Sequence, residues 1–245
     1  IKTDADIIVG VDIGGTFTDL VMIDMRDGRL FNEKVLTTPA DPSVGVLTGV
    51  EQLLRATGVK ANDVHHVIHG TTLVANALIE RKGANVGLIV TRGTRDVYII
   101  GRGNRPESYN LFFNRHQPLV SRRMTREIDE RVLSSGDVDV PLKKASIVDA
   151  CRALQAEGVE AIAVCFLHAY ANPAHEQRVR DALAAAIPGL AISVSHEVSP
   201  KFREYERTNT TVANAYVRPI VDRYLKSLTS ALESRRFKSD IYVMQ

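Results

Sequence analysis

Apolar and polar positions follow two different periods along this chain. Ile7 to Asp12 is an apolar run that ends on an acid, the pattern of a buried strand. Leu20 to Asp24 reads as its antiparallel partner, Arg26 to Arg29 as a turn and Leu30 to Leu36 as a third strand. The period then changes. In 41–58 the apolar positions Val46, Val50, Leu53 and Leu54 fall at helical spacing, with Asp41 as N-cap, Pro42 at the first helical position and Gly58 as the stop. A strand over 64–70, a helix ending on Gly83 and a strand over 85–91 follow. From Arg92 to about Val140 periodicity is lost. Helix 141–158, strand 159–167, helix 172–187 and strand 190–198 restore it. Residues 207–236 read as mostly helical, kinked or divided at Pro219, and 240–245 as a last strand with no evident partner. The alternation gives an α/β fold with a mixed sheet after an opening meander. A strand left half-written makes a fragment, or a chain continuing past Gln245, the expectation. The absence of an initiating Met makes a trimmed start the expectation too.

Composition narrows the class. Among 245 residues 44% are hydrophobic and 24% charged, enough for a real core and for one large or two small domains. The net charge of +2 gives no reason to expect nucleic acid or an anionic membrane as partner. No apolar run approaches the roughly 20 residues that cross a bilayer, and 1–10 lack the apolar core of a signal peptide. Cys151 and Cys165 read as buried structural residues, and cysteine this sparse fits a reducing cytoplasm.

The loop "DIGGTFTD", Asp12 to Asp19, holds more chemistry than a hairpin needs. Two glycines let backbone N–H groups approach an anion, and hydroxyls add donors. Asp12, ending the first strand, is placed to hold Mg²⁺ or its water shell. A triphosphate asks for these parts. The loop joins two strands and has no lysine, so it is not a Walker loop; a decorated polar turn is the plainer alternative. "HGTT" at 69–72 ends a strand and starts a helix, so Thr71 or Thr72 is an N-cap candidate, with capping alone or an anion contact as its two readings. "KFREYERTNTT" packs Lys201, Arg203, Glu204, Glu206 and Arg207 together, which local ion pairs alone would explain. Nine arginines lie in 92–131 without the organisation of a nucleic-acid surface; a long loop near an active cleft or a subunit contact fits better. Arg102 and Arg105 in "GRGNRP" are candidates for an acidic or carbonyl substrate. His65 and His66 read as structural or exposed, and His168, His175 and Glu176 fit no zinc spacing.

"GVDIGGTFTDLV" resembles the hydantoinase A and 5-oxoprolinase family, related to ATP-dependent acetone and acetophenone carboxylase subunits. The resemblance continues through 69–97, "GRGNRP", "PLV" at 118–120, "ERV" at 130–132 and 198–219. It implies an actin-like ATPase fold with ribonuclease-H-like lobes, ATP bound between lobes, and Mg²⁺ or Mn²⁺. On this resemblance residues 1–197 form the first lobe and 198–245 the helical start of a second. Asp12, Gly14, Gly15, Thr16, Phe17 and Thr18 become the first phosphate loop, with Asp12 on the metal; Gly70, Thr71 and Thr72 join the nucleotide site. His69 becomes a donor to phosphate or substrate, and Glu204, Tyr205 and Arg207 candidates to line the cleft, so that Asp12, His69, Glu204 and Arg207 are the catalytic candidates. A second phosphate loop and adenosine segment are expected beyond Gln245. The implied chemistry is phosphorylation of a cyclic amide oxygen followed by hydrolytic ring opening. Ketone carboxylation through an enol phosphate is the alternative, and a non-catalytic lobe a third. A hydantoinase B-type partner subunit is implied, and neither nucleic acid nor membrane.

Overall fold

The computed structural model describes residues 7–38, 40–104, 107, 109–113 and 116–244. Contacts divide the chain into two units, Ile1–Lys82 with Ile220–Gln245, and Gly83–Pro219. In the first unit β1 (Ile7–Ile13), β2 (Phe17–Asp24) and β3 (Arg29–Leu36) form the expected antiparallel meander. Helix α1 (Pro42–Thr57) then leads to β4 (His66–Thr71), which pairs parallel with β1. The start and stop of α1 follow its caps: Asp41 accepts from Ser43 N and Gly58, at φ 72°, closes the helix. The short α2 (Leu73–Ile79) follows β4.

The second unit holds β5 (Val86–Thr91), the single turn α3 (Val97–Ile100), β6 (Thr125–Ile128), the small hairpin of β7 (Arg131–Val132) and β8 (Val138–Val140), α4 (Lys144–Ala156), β9 (Ala161–Cys165), α5 (Ala174–Ala186), β10 (Ala191–Val194) and the single turn α6 (Ser195–Val198). Its sheet is parallel, in the order β10-β9-β5-β6. β5 and β9 are buried along their whole length, as strands covered on both faces are. Helix α7 (Glu204–Ser234) contributes its residues to Pro219 to this unit and those from Ile220 to the first. After it, β11 (Asp240–Val243) pairs parallel with β4, so the first sheet runs β11-β4-β1-β2-β3. Three antiparallel strands continued by two parallel ones form the ribonuclease-H-like sheet that the opening motif implied. Its core joins Val9, Val11 and Ile13 to Leu20, Met22, Val46, Leu53 and the α7 stripe Tyr224, Leu228 and Leu232. Each full burial of such a side chain contributes about 1.5–3 kcal/mol.

Several expectations change. The last strand does have a partner, β4, which lies 174 positions earlier and so leaves no local mark in the sequence. Contacts group the residues along a different division from the one expected at 197/198, with Ile220–Gln245 in the first unit. Pro219 lies inside one continuous helix, at the unit boundary. Within 92–140, β6 has only four residues, "TREI", too short and too charged for periodicity to show. The strand expected at 190–198 ends at Val194 and becomes α6. The helix expected to stop at Gly83 ends at Ile79, and the left-handed residue that closes it is Arg81, at φ 55°. Gly83 serves packing instead: a Cβ there would come within 2.0 Å of the Tyr216 ring. Cys151 and Cys165 are buried free thiols, and burial pushes the Cys165 thiol up, away from nucleophile chemistry.

Candidate functional site

Strand alternation in β1 sends Val9, Val11 and Ile13 into the core and leaves Asp12 exposed. In register Asp12 stands between Asp19 of β2 and Gly70 of β4. A Cβ on Gly70 would sit 3.5 Å from Asp12 Oδ1, so the glycine keeps space beside that carboxylate. Asp19 is engaged by Lys34 Nζ at 2.9 Å.

The loop beyond β1 is clamped by the chain that follows β3. Gly14 N donates to Phe17 O at 2.9 Å, Thr37 Oγ1 to Gly14 O at 2.9 Å, and Thr37 N to Thr16 O at 2.9 Å. The N–H groups of Gly15 and Thr16 take no partner among the described residues. Gly14 and Gly15 line a cavity of about 250 Å³ with Thr37, Thr72, Asn76, Glu80 and Lys82. Among the described residues the only atom within 4 Å of a Cβ placed on Gly15 is Asn76 Nδ2, at 3.9 Å. The cavity is therefore lined by the two loop glycines together with a cation, Lys82, and the carboxylate that pairs with it, Glu80.

Lys82 reaches it through the end of α2. Arg81 takes the left-handed conformation and Lys82 N donates to Ala77 O at 3.0 Å, the six-to-one bond of a Schellman close. Glu80 holds the Lys82 ammonium at 2.7 Å. Lys82, 67 positions after Gly15, thus brings a cation to the cavity beside a loop that has none.

The sequence candidates separate. Gly14, Gly15 and Thr72 line the cavity. Thr16 and Phe17, the first residue of β2, are exposed, with Lys34 Nζ 5.0 Å from the Phe17 ring centre. Thr18 is fully buried and its hydroxyl is 3.0 Å from Thr37 Oγ1, so it fixes the loop from within. Thr71 Oγ1 accepts from Leu73 N at 3.1 Å. Thr72, the N-cap residue, makes no capping bond; its hydroxyl donates to Ile13 O at 3.2 Å and accepts from Asn76 Nδ2 at 3.1 Å. His69 is fully buried and its Nε2 is 2.9 Å from Tyr224 Oη. Burial lowers its pKa; the Val11 backbone and the Asp12 charge oppose the shift.

Glu204 and Arg207 lie in the second unit. Glu204 borders a small gap beside Cys165 and Arg207. Arg207 is 1% exposed, with Nη1 on Lys201 O at 2.8 Å, Nη2 on Phe166 O at 2.8 Å and Nε on Ser195 Oγ at 3.2 Å. Arg102 pairs with Glu206 at 2.7 Å, whereas Arg105 and Arg115 lie outside the described residues. His168, His175 and Glu176 go separate ways: His168 lies 3.2 Å from Tyr170 Oη, His175 is 2.8 Å from Glu130 Oε2, and Glu176 meets Ser195 and His196. Burial raises the Glu130 carboxyl, against the bonds from Thr91 and His175. Sequence reasoning missed Thr37, Asn76 and Lys82. Only Lys82 left a signal, a charged "ERK" run just past an amphipathic helix. Among the described residues no helix is long and apolar enough to cross a membrane.

Comparisons with known proteins identify the family. The hydantoinase/oxoprolinase N-terminal region model matches residues 8–187, and the hydantoinase/oxoprolinase model matches 207–245. Caprolactamase subunit alpha of Pseudomonas jessenii is 36% identical over 92% of this chain and 33% of its own length. The crystal structure of ATP-dependent caprolactamase from the same organism matches at TM-score 0.83 and 34% identity, over 96% of this chain and 35% of its own. Nucleotide-free acetone carboxylase matches at TM-score 0.87 and 30% identity, over 97% and 36%. The chain thus spans about a third of the length of these relatives. Sheet order and likeness together give it an actin-like ATPase fold, and the chain belongs to the hydantoinase/oxoprolinase family.

Proposed function

We propose that this chain is the phosphate-holding part of an ATP-dependent enzyme that phosphorylates the carbonyl oxygen of a cyclic amide and so drives ring-opening hydrolysis. The observation that carries the reading is the open cavity where Gly14, Gly15 and Lys82 converge beside the exposed end of β1. An amide carbon is a weak electrophile and its oxygen a poor leaving group; ATP supplies the phosphoryl group that changes both. The protein's share is positioning and charge neutralisation. The Gly15 and Thr16 N–H groups and the Lys82 ammonium hold phosphate oxygens, and Asp12 holds Mg²⁺ or Mn²⁺. His69, buried behind Asp12, acts on the strand rather than on the ligand.

The related caprolactamase, described as ATP-dependent, supports the ring-opening reading. The match to acetone carboxylase supports a second one, in which the activated carbonyl is a ketone and the product a carboxylate. A relative named as subunit alpha supports a partner subunit of the hydantoinase B type. Sparse, unpaired cysteines support a cytoplasmic setting. ATP hydrolysis is the test, assayed with hydantoin, with 5-oxoproline, and with an aryl ketone plus bicarbonate. Ring opening predicts dependence on the lactam; carboxylation predicts dependence on ketone and bicarbonate; a bare binding lobe predicts neither. In the full-length enzyme Asp12→Ala is expected to abolish Mg·ATP turnover and leave the thermal melt in place. Turnover that survived this change would sink the phosphate-loop reading.

A further inference from the structure

The loop that carries Gly14 and Gly15 has most of its carbonyl oxygens taken up by the rest of the first unit. Ile13 O accepts from Thr72 N at 3.3 Å and from Thr72 Oγ1 at 3.2 Å. Gly14 O accepts from Thr37 Oγ1 at 2.9 Å, and Thr16 O from Thr37 N at 2.9 Å. From Ile13 to Thr16 only Gly15 O takes no bond among the described residues. A peptide carbonyl repels an anion and its N–H attracts one. A glycine loop therefore serves an anion only where its peptides are held with the N–H towards it.

Thr37 sets that orientation for one peptide. The Gly14–Gly15 bond is trans, so its C=O and N–H point in opposite directions. The hydroxyl that fixes Gly14 O thereby fixes the Gly15 N–H, which takes no partner among the described residues. Thr37 has no second proton to give. A hydroxyl carries one donor and two acceptor sites, and this proton goes to Gly14 O. Thr18 Oγ1, 3.0 Å from Thr37 Oγ1, must then be the donor of that pair. Thr18 is fully buried, so the bond is aimed from the core. Thr37 lines the cavity, yet its proton is not available to a phosphate oxygen, which can only accept.

Nothing among the described residues requires glycine at 15. Neither Gly14 nor Gly15 takes a positive φ. A Cβ on Gly14 would come within 3.1 Å of Phe17 O, whereas one on Gly15 would meet nothing nearer than Asn76 Nδ2 at 3.9 Å. Bare backbone at 15 leaves room for a ligand. Two glycines in a row also leave the peptide between them free to turn over unless a side chain holds it.

We infer that Thr37 is a positioning residue for phosphate: its hydroxyl, backed by Thr18, keeps the Gly14 carbonyl withdrawn and the Gly15 N–H presented. The inference rests on the phosphate-loop reading proposed above.

The test is calorimetric titration of the full-length enzyme with tripolyphosphate, alongside melting temperatures. Thr37→Val keeps the branched shape and removes the hydroxyl; it should weaken binding about tenfold, the effect of losing one well-placed donor. Thr37→Ser should restore most of the affinity. A crystal structure of Thr37→Val should show the Gly14–Gly15 peptide turned. Gly15→Ala should keep or raise the melting temperature, because the backbone there suits alanine, and abolish binding. Binding by Thr37→Val equal to that of the unaltered enzyme, or binding by Thr37→Ser as weak as that of Thr37→Val, would overturn the positioning role and leave the phosphate loop standing. Lost affinity in Thr37→Val with the peptide unmoved would overturn it as well, by placing Thr37 on the ligand. An unaltered enzyme that binds no tripolyphosphate, or a Gly15→Ala variant that binds it as before, would instead sink the phosphate-loop reading and this inference with it.

Discussion

Tyr224 of α7 joins its phenol to the imidazole of His69 on β4, Oη to Nε2 at 2.9 Å, inside the core of the first unit. The bond ties a helix to the strand that flanks Asp12. His69 Nδ1 is buried with no hydrogen-bond partner among the described residues. Burial depresses the imidazole pKa and pushes the Tyr224 phenol up, so the folded state keeps both groups neutral.

The sign of the pH effect follows. The unfolded chain takes a proton on this histidine at roughly pH 6.5, and the folded chain only at lower pH. Stability is therefore full above that value and falls as pH drops through the window between the unfolded and folded pKa. Urea unfolding at a series of pH values should show this loss, and His69→Gln should flatten it. Tyr224→Phe should cost about 1–3 kcal/mol at neutral pH, because it leaves a buried nitrogen unpaired. An unchanged pH slope in His69→Gln would assign the titration elsewhere.

Lys82 and Glu80 make opposite predictions from one ion pair. Lys82 lines the loop cavity while held at 2.7 Å by Glu80, and both side chains are largely exposed, so their pairing adds little stability. Lys82→Gln should weaken tripolyphosphate binding about tenfold, on the scale of a lost charge-assisted bond, and flatten its salt dependence. Lys82→Arg should restore most of it, and Glu80→Gln should tighten it by freeing the ammonium. Calorimetric titration at two salt concentrations reads all three. Equal affinities across the set would remove Lys82 from the site.

What the sequence made legible was whatever a short window can hold. Asp41, Pro42 and Gly58 mark both ends of α1 because capping acts within a few residues. "DIGGTFTD" revealed the loop because glycines, hydroxyls and an acid lie together. The pairing of β11 with β4, the return of Ile220 onward to the first sheet, and the meeting of Lys82 with Gly14–Gly15 depend on contacts between distant segments. No local pattern encodes them. Thr18 and His69 show a subtler limit. Their types suit phosphate binding, yet strand alternation turns both into the core.

Arg207 poses the same question in the second unit and admits a sharp answer. Its guanidinium takes Phe166 O at 2.8 Å, while Glu176 Oε1 accepts from Phe166 N at 2.9 Å. Ser195 Oγ bridges the two, donating to Glu176 at 2.7 Å and accepting from Arg207 at 3.2 Å. Arginine and glutamate thus grip one peptide segment just past β9 from both sides, and both are buried. Removing the guanidinium leaves buried acceptors, Phe166 O among them, without their donor, at a cost of about 1–3 kcal/mol. Arg207→Gln should therefore shift the urea midpoint strongly downward. Arg207→Lys should not rescue it, because an ammonium lacks the planar fork that reaches three acceptors. Nucleotide affinity of the folded fraction, measured at low temperature, should stay unchanged. Retained stability with lost turnover would instead place Arg207 on the ligand.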